Sequence, residues 1–406
     1  MEPQKQVFRT ERIWLKSTPL LRYLCHISKN LYNEANYLVR QEFFTSGKRI
    51  RYNSLYHFVK SSPNYTQLPA QTAQQILKVL DRSWISFFRA IKVWSKDKSK
   101  FLGTPKLPKY KPKNGEFMLI FTNQQVKLKD NTLRFPKKVG VQTKTRLPES
   151  TDIREVRIIP RGVGYVLEIV YTKKITPKPL NKDNFLAIDL GVCNLITAVN
   201  NNGLKPFVIK GGVVKSINQY YNKEKARIQS TYDRQGIKTG KTLKKLTDKR
   251  NKKINDFFHK SSITIIDYCM NNDLGIVVIG YNRNWKQNCR IGKRNTQNFV
   301  TIPYYKLVQQ LEYKAEEKGI TVIKQEESHS SKCSFLDNEP VEHHNKYVGK
   351  RISRGLFQSK KGTIINADVN GAYNILKKAI LNAFEADRIE DVGLHPVRWK
   401  SMEATA

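Results

Sequence analysis

The sequence predicts a multidomain protein of α/β and β class, with a block of helices set between strands. Three observations carry that prediction. A strand-like stretch at residues 5–16 is followed by helical periodicities reaching Trp94, and then by short alternating runs over residues 117–173. The segment Thr176-Pro177-Lys178-Pro179-Leu180 is a boundary, because neither a helix nor a central strand tolerates that proline spacing. Beyond it, Phe185-Leu186-Ala187-Ile188-Asp189-Leu190-Gly191-Val192 is a continuous apolar run of the kind buried on both faces of a sheet, with one carboxylate near its end.

With 406 residues and 39% apolar content, the chain can build two or three domains with sizeable cores. Its 73 lysines and arginines against 34 acids give a net charge of +39, which calls for a polyanionic partner. Nucleic acid is favoured over a membrane surface: no apolar run approaches the roughly 20 residues of a spanning helix, and the start shows no signal-peptide pattern. Five scattered cysteines, odd in number, fit a reduced cytosol without a disulfide framework.

Taken in order, Leu20, Leu21, Leu24, Ile27, Leu31, Ala35 and Leu38 predict a helix over 19–45 closed by Gly47. A second helix is predicted over 53–60. A third over 69–94 places Ile76, Leu77, Leu80, Trp84, Phe87, Phe88 and Ile91 on one core-facing stripe. Residues 98–113 alternate prolines with lysines and read as an extended basic connector lying along nucleic acid. Residues 216–271 read as a strongly basic helical hairpin broken at 235–240, and residues 274–282 as a buried strand. Another strand over 319–328 closes on Glu326 and Glu327; beyond Leu381 the tail reads as a helix fraying into a loop.

An ionised Asp189 inside a sheet is costly unless it binds a cation or pairs with a base. A second acid, Asp368, opens a helix whose apolar residues 369, 372, 375 and 376 face a sheet, either as its cap or as a carboxylate offered to a site. The segments FLAIDLGVCNLIT (185–197), SSKCS (330–334) and NADVNGAYNI (366–375) resemble RuvC-type nuclease segments of the TnpB (OrfB) proteins of insertion sequences. Those are RNA-guided DNA endonucleases related to compact type V CRISPR effectors, and the resemblance covers nearly the whole chain.

The resemblance implies an RNase H-like (RuvC-type) nuclease domain from 181–332 and 364–381. It implies an oligonucleotide-binding-type β-barrel, the wedge, from 1–18 and 115–176, with a helical recognition lobe and connector (19–114) inserted. Residues 333–363 would occupy the zinc-ribbon position, and 382–406 the tail. It further implies a guide RNA from the element's own transcript, double-stranded target DNA beside a short flanking motif, a monomeric ribonucleoprotein, and two Mg2+ ions held by three acids.

The chain departs from the family at two places. Gly280 stands where most members carry the middle glutamate. Either catalysis is lost, leaving an RNA-guided DNA-binding repressor, or an acid of the next strand, about 4.8 Å away, substitutes. Glu326 and Glu327 are the candidates, and Glu327 is favoured because it shares a face with Ile323 and Gln325. Retention of Asp189 and Asp368 counts against a dead site. The second departure is that paired Cys-x-x-Cys motifs are missing; Cys333 stands alone with His343 and His344 nearby, so no structural zinc is expected. Asn370 is expected to position Asp368 or the scissile phosphate, and His329, His343, His344 and His395 to serve as polar surface or backbone-contact residues. A guide-independent transposase using a tyrosine nucleophile would need a His-x-His pattern, which the sequence lacks.

Overall fold

The computed structural model describes residues 5–282, 285–287, 289, 292–380, 383 and 393–399. They fall into two compact units, residues 6–174 and the remainder.

In the first unit β1 (Lys5–Leu15) leads into α1 (Pro19–Ser46), α2 (Tyr52–Val59), α3 (Pro63–Thr66) and α4 (Ala70–Lys96). Helix α1 starts where Thr18 accepts a hydrogen bond from the Leu21 amide, and stops at Gly47, whose φ of 69° suits a residue without Cβ. The apolar stripe of α4 is core, with Trp84 fully buried and its Nε1 donating to Asn36 Oδ1 at 3.0 Å. The basic connector is not a loose strip. Asn33 and Asn36 of α1 donate to the Lys111 and Pro108 carbonyls, Lys29 donates to the Lys113 carbonyl, and the Lys111 ammonium sits over Tyr32 and Phe117.

The strands that follow are β2 (Leu119–Thr122), β3 (Lys127–Lys129), β4 (Thr132–Arg134), β5 (Gln142–Lys144), β6 (Asp152–Arg161) and β7 (Gly164–Ile175). Hydrogen bonding divides them into a four-stranded sheet, β1-β7-β6-β2, and a three-stranded one, β3-β4-β5. The expected single barrel is therefore two sheets. Strands β3 to β5 are three residues each, and the positive φ of Asp130 and Asn131 turns β3 straight back into β4, leaving no ladder long enough to close a ring. Both sheets and the helices share one apolar core.

The second unit holds β8 (Phe185–Asp189), β9 (Asn194–Asn200), β10 (Phe207–Lys210), α5 (Gly212–Arg234), α6 (Lys241–Asn271), β11 (Ile276–Gly280), α7 (Lys293–Thr301), α8 (Tyr304–Lys318), β12 (Thr321–Gln325), β13 (Lys350–Ser353), β14 (Leu356–Gln358), β15 (Ile364–Asn366), α9 (Ala367–Ala379) and β16 (Val397–Trp399). A six-stranded sheet runs β12-β11-β8-β9-β10-β16. Strands β8, β9 and β10 are antiparallel neighbours, whereas β11 and β12 run parallel to β8. One face packs on α6 and α8, the other on α9, so β8 is apolar throughout until Asp189. Among the described residues no helix is long and apolar enough to cross a membrane.

Most of the tail lies outside the described residues, but 397–399 are not loop. They pair parallel with β10, and Trp399 stacks on Phe207 with ring centroids 4.3 Å apart.

The segment between β12 and α9 is organised by buried polar side chains. Glu339, 4% exposed, accepts from the Ser334 amide at 2.6 Å and the Val348 amide at 2.9 Å. From α9, Asn370 accepts from the Phe335 amide and donates to the Cys333 carbonyl, while Asn374 donates to the Ser330 and Cys333 carbonyls. Asn370, fully buried, thus latches this segment to α9, and its side chain makes no hydrogen bond to Asp368 among the described residues. His329 meets the Tyr347 hydroxyl and His344 the Pro340 carbonyl. Replacing Glu339 with alanine strands the buried Ser334 amide and leaves the part-buried Val348 amide to water. Glu339→Ala is expected to lower stability by about 2–4 kcal/mol, read as a lower denaturant midpoint at unchanged slope.

Candidate active site

Asp189, Gly280 and Gln325 end three adjacent parallel strands, and ligands of open α/β sheets bind beyond such carboxyl ends. Register places Ile188 beside Ile279 and Gly280 beside Gln325, so the chain leaving β12 passes the end of β11. The Glu327 amide is fastened there by Asn282 Oδ1 at 3.0 Å. Its carboxylate then lies over Gly280. A Cβ at position 280 would come within 2.8 Å of Glu327 Oε2 and 2.5 Å of Ile375 Cδ1, so the space that the glutamate uses exists because residue 280 has no side chain.

The adjacent acid points elsewhere. Glu326 is exposed, bonds Ser328 and accepts from Lys378 Nζ at 2.5 Å. Burial raises its pKa, but the Lys378 ammonium and Ser328 outweigh that and keep the carboxyl below its usual range. Of the two candidates, the structure brings Glu327 to the strand ends and leaves Glu326 in an exposed ion pair.

Asp368 comes from the first turn of α9. The cap is not Asp368 but Asn366, whose Oδ1 accepts from the Asp368 and Val369 amides. That leaves the Asp368 carboxylate available, and it accepts from Asn194 Nδ2 at 2.7 Å. Helix α9 runs close to β8 at Gly371, where an added Cβ would meet Asp189 at 3.9 Å.

The electrostatics are those of acids crowded where water screens poorly. Although Asp189 keeps some exposed surface, its carboxyl is held well above the usual range, first by burial, then by Glu327 and Asp368; Arg351 opposes this. Glu327 is pushed up to about 7 by burial and by Glu326. One of its oxygens, Oε2, is buried and has no hydrogen-bond partner among the described residues. Among the described residues no three His, Cys, Asp or Glu side chains already stand at ligand distance from a common point. A buried carboxylate oxygen without a hydrogen bond among the described residues, on an acid that acts electrostatically on Asp189, is nevertheless what a cation would neutralise, and the hard oxygen donors suit Mg2+.

Beside Asp368 opens a cleft of about 500 Å3 whose walls include Asn194, Lys210, Arg351 and Arg354. Sequence reasoning assigned no role to Asn194, Lys210 or Tyr304. Asn194 stood within a quoted motif, and only its three-dimensional partner reveals what it does. Tyr304, fully buried, donates to the Gly191 carbonyl at 3.0 Å and so props the loop after β8.

Comparison with known proteins came out as follows. Residues 168–286 match the OrfB_IS605 family model, described as probable transposase, and residues 304–375 match that of the Cas12f1-like TNB domain. A TnpB-like protein, ORF457 of Acidianus two-tailed virus, is 26% identical over 408 residues, spanning 89% of this chain and 83% of that one. The CRISPR-associated endodeoxyribonuclease Cas12f1 of Sulfoacidibacillus thermotolerans is 28% identical over 52% of this chain and 49% of its own length. In fold, the chain resembles Cas12f1 as solved in a complex with sgRNA and target DNA, with TM-score 0.54, 16% identity and coverage of 87% and 81%. It also resembles the mini-RNA-guided endonuclease CRISPR-Cas phi3, with TM-score 0.50, 10% identity and coverage of 94% and 93%.

Gly280→Ala meets only side-chain ends, so the protein should fold with a loss of about 1–3 kcal/mol. Its Glu327, however, must move, and divalent-ion binding measured by calorimetry should weaken with it. The pH dependence also has a definite sign. Because Asp189 and Glu327 have raised pKa values when folded, the native state binds more protons than the unfolded one between the ordinary 4.5 and about 7. Without divalent ions, stability should therefore fall as pH rises through that window. Glu327→Gln should flatten the fall and, near about pH 8, stabilise by roughly 1 kcal/mol after solvent screening, seen as a higher melting temperature.

Proposed function

Given that this chain belongs to the TnpB family, we propose that it is an RNA-guided DNA endonuclease of an insertion sequence. Its RuvC-type site would consist of Asp189, Glu327 and Asp368. The observation that carries this reading is the buried, unpartnered Glu327 Oε2 lying in the space that Gly280 leaves open, within the field of Asp189. Merely structural acids would not be gathered where they repel; a site that needs cations gains by it.

The six-stranded sheet, in which three antiparallel strands are followed by two parallel ones on one side and flanked by β16 on the other, with α9 across one face, supports an RNase H-like reading. A relocated middle acid then completes the set. Bound across the three acids, two Mg2+ ions would activate water and stabilise the leaving oxygen. The chain itself supplies the rest. Asp189 and Glu327 present charge in a poorly solvated place, and Asn194 orients Asp368. Lys210, Arg351 and Arg354 line a cleft that suits a phosphodiester backbone. Helices α5 and α6, with exposed Lys223, Lys225, Lys244, Lys245, Lys249 and Lys253, offer a sequence-independent surface for a duplex.

Partners in this reading are a guide RNA from the element's own transcript and double-stranded target DNA beside a short flanking motif. The working form would be a monomeric ribonucleoprotein in the bacterial cytoplasm, associated with the nucleoid. The first unit would be the wedge with its recognition helices. Zinc is not expected in this reading, because the paired Cys-x-x-Cys motifs are missing and Glu339 supplies cross-links within that segment.

The test is cleavage of a plasmid by the ribonucleoprotein assembled with the flanking transcript in Mg2+. Asp189→Ala and Glu327→Gln should each lower the rate by about a thousand-fold, near 4 kcal/mol of barrier, with guide-dependent DNA binding kept. Glu326→Gln should cleave within a few-fold of wild type. Wild-type protein that binds guided DNA and never cuts would overturn the nuclease in favour of a guided repressor.

A further inference from the structure

Resting on the three-acid site just proposed, we infer that Asn194 and Lys210 form a positioning relay that sets which Asp368 oxygen is offered to the ions.

Three observations converge. Lys210 Nζ donates to Asn194 Oδ1 at 2.8 Å, and Asn194 Nδ2 donates to Asp368 Oδ2 at 2.7 Å. An amide side chain can turn over, and alone it could present oxygen or nitrogen to the carboxylate. Lysine ends that ambiguity. An ammonium has donors only, so the amide oxygen must face Lys210 and the NH2 must face Asp368. One lone-pair region of Asp368 Oδ2 is thereby taken, the carboxylate's rotation is restrained, and its other oxygen is left for a cation.

The backbone is shaped to make this contact. The pairing of β9 with β10 slips between Ile209 and Lys210, so that Lys210 stands opposite Asn194. Irregularities of this kind re-aim side chains beside active sites. The slip leads directly into Gly211, whose amide donates to the Cys193 carbonyl and where a Cβ would overlap the Val192 backbone oxygen at 2.3 Å. Only glycine permits that approach, which ties the end of β10 to the loop that leads into Asn194. The relay thus joins a strand edge to the first turn of α9, two elements that share no backbone hydrogen bond.

Partners that orient metal ligands typically contribute 10- to 100-fold in affinity. The decisive measurement is Mn2+ titration of the full-length protein by calorimetry, counting only binding that Asp189→Ala removes. Asn194→Ala should raise the dissociation constant about ten-fold. Lys210→Met is the sharper variant, because deleting a nearby positive charge should tighten cation binding if charge alone mattered. The relay requires the opposite, a weakening of about three- to ten-fold. Because Lys210 acts through Asn194, the double variant should be no weaker than Asn194→Ala. Unchanged or tighter binding in Lys210→Met, or additive losses, would overturn the relay. If wild-type protein shows no Asp189-dependent binding at all, it is the three-acid site that falls. Melting temperatures within about 2 °C of wild type are expected for all three variants, since the contacts lie at a half-exposed edge; a larger drop paralleling the affinity loss would make the contacts structural and overturn the relay as well.

Discussion

Carboxylates resist being brought together where water cannot screen them, and in this protein three come together at the end of one sheet. Asp189 arrives on a strand buried on both faces, Glu327 just beyond the strand two places away, and Asp368 on the first turn of the helix that covers them. None of the three could hold its place on local interactions alone. The apolar packing of β8, β11 and α9 fixes the backbone, so the repulsion cannot relax by moving strands apart. Compensation comes from neighbouring dipoles and charges: the Leu190 backbone and Arg351 favour the charged form of Asp189, Asn194 donates to Asp368, and the start of α9 presents its positive end there. The protein keeps a local destabilisation that the surrounding core must offset, which is the usual condition of a site built to bind cations.

The same packing explains why the middle acid sits where it does. Position 280 and Glu327 compete for one volume. A side chain at 280 would overlap Glu327 Oε2 and Ile375, so a glutamate at 280 and Glu327 in its observed place exclude each other. Parallel pairing makes the exchange geometrically simple: the chain beyond Gln325 is carried past the end of β11, and a longer side chain spans the spacing between strands. The departure from the family pattern at 280 and the acid at 327 are therefore one feature, a carboxylate carried by the neighbouring strand.

Much of this was legible in the sequence because it depends on local pattern. The continuous apolar run before Asp189, the stripes of α1 and α4, and the stripe of α9 each follow from burial on a defined face. Strand alternation alone favoured Glu327 over Glu326. What sequence left hidden depends on partners remote in the chain. Asn370 is spent on the Phe335 amide and Cys333 carbonyl, and nothing in its neighbourhood announces that. Capping at Asn366 rather than Asp368 was ambiguous because two good capping residues stand two positions apart. Strand β16 is three residues with one half-buried tryptophan, too short to show a period, and its existence depends on the open edge of β10. The short strands β3 to β5 likewise gave alternation without revealing that they would form a sheet of their own.

Two electrostatic regimes coexist in the chain. The net charge of +39 is spread over exposed side chains, such as the lysines of α5 and α6, where salt screens it and where any nucleic acid is attracted regardless of sequence. The acids at the strand ends are the reverse: few, close, poorly hydrated, and little affected by bulk salt. A phosphate drawn in by the first regime would be repelled by the second until cations occupy it. In the proposed function this separates holding DNA from cutting it. Holding depends on ionic strength and guide pairing, and cutting on divalent ions at Asp189, Glu327 and Asp368. Attraction over the whole surface cannot by itself select a target, so discrimination has to come from pairing with the guide, while the site need only wait for a correctly presented strand.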